Sequence, residues 1–64
     1  MDYDVFTFVM DWVKDDTFIE VYDVDKEQVI WKGWSQNLPY NFTQTVESIS
    51  TNGQYLVINC SEEE

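Results

Sequence analysis

Val5, Phe6, Val9, Trp12 and Val13 fall within one arc of a helical wheel, with Phe8 and Met10 beside them and Asp4, Thr7, Asp11 and Lys14 opposite. From Thr17 the pattern changes to short runs rich in β-branched and aromatic residues. The chain is thereby confined to one N-terminal amphipathic helix that needs a sheet to cover. The helix is intrinsically weak, because its β-branched and aromatic side chains lose rotamer freedom in a helix, so tertiary packing must hold it. Asp2 or Asp4 suits the positive end of its dipole, and Asp15-Asp16 at the negative end helps to stop it.

Four strands come after the helix. Residues 17–24 and 28–34 flank the polar Asp25-Lys26-Glu27 and should pair as an antiparallel hairpin. On the second of these, Val29, Trp31 and Gly33 share one face and Ile30, Lys32 and Trp34 the other, so both faces carry a large apolar group. Residues 35–42 contain the only proline, Pro39, and read as a crossover with a tight bend or short helix. Residues 45–50 and 54–60 then form a second hairpin around Thr51-Asn52-Gly53, with Asn-Gly the preferred type I′ pair. The expectation is an α+β fold in the order α-β-β-(turn or short helix)-β-β: the helix on a small antiparallel four-stranded sheet of two hairpins. Residues 1–61 make a single compact domain, and an acidic tail frays from Ser61 through residues 62–64.

Thirteen acids against three lysines, with no histidine, give a formal net charge of −10, yet 44% of the residues are hydrophobic and 17% aromatic. That apolar content is too high for intrinsic disorder. A domain this short buries only about 60% of the surface its unfolded chain exposes, so its core is undersized. The lone Cys60 makes no internal disulfide, and without histidine it forms neither a structural zinc site nor a Cys-His nucleophile pair. The acidic start Met1-Asp2-Tyr3-Asp4 is unlike a signal peptide, and no apolar run reaches the roughly 20 residues of a membrane span. A cytoplasmic protein with no membrane association is expected.

No catalytic residues, cofactor-binding residues or metal ligands are assigned. Asp23-x-Asp25-x-Glu27 has alternate carboxylates suited to a hard cation, but Gln28 and Trp34 stand where a calcium loop needs its glycine and its final glutamate. A solvated hairpin end is the better reading. Direct nucleic-acid binding is disfavoured, since phosphate contacts dominate such affinity and three lysines cannot offset thirteen carboxylates. A basic protein surface is the natural partner.

The charge is uneven along the chain. Residues 1–27 carry a net −7, residues 28–61 carry Glu47 against Lys32, and Glu62 to Glu64 add −3. Asp4, Asp11, Asp15, Asp16, Glu20, Asp23, Asp25 and Glu27 are the candidate acidic face. Ordinary solubility charge is the plain alternative. Trp31, Trp34, Tyr22, Tyr40 and Tyr55 are the aromatic group to weigh, because Trp and Tyr recur at binding hot spots. Trp12 and either Trp31 or Trp34 should be core; the other tryptophan, with Tyr22 or Tyr40, should line an interface. Self-association as a homodimer would supplement the small core.

The segments Phe18-Ile19-Glu20-Val21-Tyr22-Asp23-Val24-Asp25, Val29-Ile30-Trp31-Lys32-Gly33, Leu38-Pro39-Tyr40, Val46-Glu47-Ser48-Ile49 and Leu56-Val57-Ile58-Asn59 resemble short acidic proteins encoded by phages and mobile elements of Gram-positive bacteria. The resemblance carries over no catalytic residues. Some small acidic phage products are anti-CRISPR or other anti-defence proteins, several of them DNA mimics, so it implies an inhibitor in the host cytoplasm that binds a nuclease or another nucleic-acid-binding defence protein. The competing expectation is a structural or assembly module acting through its aromatic face. A small-molecule sponge ranks third, its acidity being unfavourable to a nucleotide ligand.

Overall fold

The computed structural model describes residues 3–51 and 53–62. Helix α1 (Val5–Trp12) has only eight residues, too few to be stable alone, and its start is tied down group by group. The first N–H groups of a helix lack intrahelical acceptors. Here the Val5 N–H donates to the Gln44 carbonyl (2.9 Å) and the Phe6 N–H to the Phe42 carbonyl (3.1 Å). The Thr7 N–H donates to Oδ1 of Asp4 (2.8 Å), the N-cap. Sequence-distant backbone thus completes the helix.

Strands β1 (Phe18–Asp23) and β2 (Gln28–Trp34) form the first hairpin, and β3 (Thr45–Thr51) and β4 (Leu56–Ser61) the second. The sheet has the order β2-β1-β4-β3. Both hairpins are antiparallel, but β1 and β4 pair in parallel, Ile19 opposite Leu56 and Asp23 opposite Cys60. The α+β expectation holds, and its wholly antiparallel sheet is corrected. Burial accounts for the order: β4 brings Ile58, Cys60 and Ser61 into fully packed positions, whereas β3 buries only Val46. The more apolar strand goes to the centre and the polar one becomes an edge.

After β2 a 3-10 turn (Ser35–Asn37) starts the crossover to the opposite edge. Leu38 is buried and Phe42 packs against the core, so helix and crossover cover the same face. The turn also fixes the chain between α1 and β1. The Ser35 hydroxyl donates to the Lys14 carbonyl (2.7 Å), the Ser35 N–H to the Thr17 carbonyl (2.8 Å), and the Gln36 amide exchanges two 2.7 Å hydrogen bonds with Asp16.

Val5, Phe8 and Val9 of the helix meet Ile19, Val21, Val46, Ile58 and Cys60 of the sheet in one core. Trp12 is a correction: it is 64% exposed, at the last helical position, touching Tyr3 edge-on at 6.3 Å. Trp31, by contrast, packs against the core beside Phe42. Its indole lies over Gly33, where a Cβ would come within 2.9 Å of the ring. The second hairpin is wider than expected, since Thr51 pairs with Leu56 and β4 begins there, not at Gln54. Asn52 lies outside the described residues, and Gly53 has φ +95°. Nor does the tail fray from Ser61, which is buried in β4; Glu63 and Glu64 lie outside the described residues.

Candidate partner-binding surfaces

β1 runs from the α1–β1 connection at one end of the sheet to the β1–β2 turn at the other, a span of about 20 Å at ~3.3 Å per residue. The acids divide between those ends. Asp11, Asp15 and Asp16 lie at the end of α1 and in its connection, all exposed. Asp25 and Glu27 project from residues 24–27 at the far end, where Asp4, Glu47 and Glu62 also lie by strand register. Glu20, half-buried, is on the sheet face away from α1. Six of the eight candidate acids therefore make two end clusters instead of one face, and Glu20 stands between them.

Asp23 is a correction. It is wholly buried, because the inward alternation of β1 through Ile19 and Val21 reaches it. Its Oδ1 accepts from the N–H groups of Asp25 (2.9 Å) and Lys26 (3.2 Å), building the turn, while its buried Oδ2 meets no donor among the described residues. Its role is structural, and it is not available to a partner. Among the described residues no group of three or more His, Cys, Asp or Glu side chains is arranged to hold a metal ion.

The exposed carboxylates are scarcely neutralised. Lys26 and Glu62 form the one ion pair among the described residues, at 3.7 Å and half exposed on both sides, and such a pair contributes about 0–1 kcal/mol. Two acids occupy left-handed backbone, Asp16 at φ 66° and Glu27 at φ 55°. The cost is roughly 1–2 kcal/mol for Glu27 and less for Asp16, since aspartate visits this region more readily. Each stands in one of the two acidic turns.

The aromatic candidates also separate. Trp31 faces the core side, and Tyr40 stands 82% exposed on the crossover. Tyr22 and Trp34 share the open face, where Phe18 contacts both Trp34 (5.2 Å) and Tyr55 (5.3 Å) edge-on. The Lys32 ammonium lies 5.8 Å from the Tyr55 ring centre. Phe18, Glu47 and Glu62 were not among the candidates; the period-two sequence Phe18-x-Glu20-x-Tyr22 is the signal that could have found Phe18.

Cys60 is wholly buried. Burial first, then the carboxylates of Asp23, Glu62, Asp25 and Glu47, pushes its thiol up to about 11, which leaves almost no thiolate at neutral pH and makes it a poor nucleophile. No helix among the described residues is long and apolar enough to cross a membrane. No protein-family model, curated protein or solved structure matches the chain.

Proposed function

We propose that this protein is a non-enzymatic inhibitor that binds a basic, nucleic-acid-handling host protein, its acidic turns standing where phosphates would otherwise lie. The observation that carries the reading is the set of exposed acids in the two turns, Asp15, Asp16, Asp25 and Glu27, none in an ion pair among the described residues. Two of them, Asp16 and Glu27, sit at backbone angles that glycine would adopt more cheaply. Asp16 is held there by Gln36 and Glu27 is kept there at a conformational cost, and carboxylates left without cations are suited to receiving them from a partner.

The charge density is of the right order. The described residues carry ten acids against three lysines, a net −7, and along a longest dimension of 30 Å that is about one charge per 4 Å, somewhat sparser than the ~3.4 Å spacing of a single nucleic-acid strand and well below the density of a duplex at ~1.7 Å. Such a field steers a basic surface toward the protein and weakens as salt screens it. The same field repels nucleic acid itself.

The test is capture from a candidate host lysate on the immobilised protein, at low and high salt, beside a variant carrying Asp15→Asn, Asp16→Asn, Asp25→Asn and Glu27→Gln. A basic nucleic-acid-binding protein should be held at low salt, released at high salt and missed by the variant, and its activity on nucleic acid should fall when the protein is added. Recovery of no such protein at either salt, or equal recovery by the variant, overturns the reading.

A further inference from the structure

The crossover and α1 leave the other side of the sheet uncovered. Register places Phe18, Glu20 and Tyr22 of β1 beside Trp34, Lys32 and Val29 of β2, with Val57 and Tyr55 adjoining; the register shift between Val21 and Tyr22 corrects the expected shared face of Val29 and Trp31, leaving Val29 here and Trp31 on the core side. Trp34 is 48% and Val29 43% exposed. Phe18, Trp34 and Tyr55 cluster at one end of this face, and Tyr22 and Val29 lie beyond the Glu20–Lys32 row, on a protein whose buried apolar set is small.

Its charge pattern differs from the rest of the molecule. Glu20 and Lys32 are direct cross-strand partners on this face, so its centre is neutral in a chain of net charge −10. Any surface that includes the acidic turns repels a second copy of the chain. The open face does not. A two-fold axis through it would also bring Lys32 of each copy against Glu20 of the other, with the Phe18, Trp34 and Tyr55 rings as the apolar centre, which is the self-complementarity an isologous interface requires. A standard interface takes about 800 Å² from each partner, roughly a fifth of the 4129 Å² surface. The edges serve such pairing less well, because β2 and β3 are each interrupted by a register shift that disturbs the ladder another strand would extend.

We infer that a second copy of this chain packs on the open face, two sheets stacking through Phe18, Trp34 and Tyr55 with reciprocal Glu20–Lys32 pairs. The dimer keeps both acidic turns of each copy at its periphery. The inference goes beyond the proposed function and does not depend on it: the end clusters engage the basic partner and the neutral face engages a copy.

Sedimentation equilibrium of the full chain, from micromolar to near-millimolar concentration and at low and high salt, tests it. A monomer–dimer equilibrium should appear and tighten as salt screens the like net charges, the opposite sign to binding of a basic partner. Lys32→Glu should weaken the dimer by about tenfold or more, since it sets like charges against each other. Adding Glu20→Lys to that variant should restore the dimer to near its original strength, and Trp34→Ala should weaken it. A monomer at every concentration and salt overturns the inference, as does a dimer indifferent to both Lys32→Glu and Trp34→Ala; either result leaves the basic-partner reading to stand or fall on its own capture experiment.

Discussion

On the face of the sheet beneath α1, Ile19, Val21, Val46, Ile58 and Cys60 are buried, while on the opposite face Phe18, Tyr22 and Val57 are half-exposed and Trp34 more so. The same strands supply both sets, one residue apart. The difference lies in the elements that connect the strands: α1 and the crossover both return to one side, and no described element covers the other. In so short a chain the apolar residues left over are the ones open to another molecule, so stability and the proposed association fall to alternating positions of the same strands.

That division can be broken by substitution. The largest effect is expected at Ile58, wholly buried in β4. Ile58→Ala should cost about 2–5 kcal/mol through lost burial and the cavity left behind. Val57→Ala on the open face removes two carbons where Ile58→Ala removes three, and it should cost the isolated chain less by more than that difference alone accounts for, as urea unfolding of both variants will read. Similar losses at the two sites would mean that the faces are not distinct.

Cys60 sharpens the comparison through pH. Its thiol is raised from 9.0 to about 11, so between those values the folded chain keeps a proton that the unfolded chain has lost. This contribution is fully present below pH 9 and is lost as pH rises toward 11, about 2–3 kcal/mol in all. Denaturant unfolding across that range should show the fall, and Cys60→Ala should flatten it. An equally steep fall in the variant would assign the loss to other groups.

The smallest effects are expected at Trp12 and Tyr40, 64% and 82% exposed. Their replacement by alanine should change unfolding stability by about 0.5 kcal/mol or less at Tyr40, and by somewhat more at Trp12 because of its contact with Tyr3. A large loss at Tyr40 would place hidden packing on the crossover.

Much of this architecture was legible in the residues. The helical arc, the hairpin around Asp25-Lys26-Glu27 and the crossover at Pro39 are local signals, set by periodicity and turn chemistry. The parallel meeting of β1 and β4 is not local, and short-range propensity carries no record of which hairpin strand turns inward, although the polar Thr45–Thr51 set against the apolar Leu56–Ser61 held a clue. The acids show the same limit. Their concentration before residue 28 was plain, but a strand carries its two ends far apart, so neighbours in sequence became opposite poles of the sheet. Asp23 was hidden by its own position, one alternation beyond Ile19 and Val21, where the sequence rule for a polar turn and the pattern for a buried face overlap.

The two proposals together imply a separation: the acidic turns and the open face have different partners. Amide chemical shifts of the labelled protein, followed while a polyarginine peptide is added at low salt, test it most directly. Changes concentrated at residues 14–17 and 24–27 and absent at high salt are expected, with Phe18, Glu20, Tyr22 and Val57 little moved. Changes centred on those open-face residues, persisting at high salt, would contradict it.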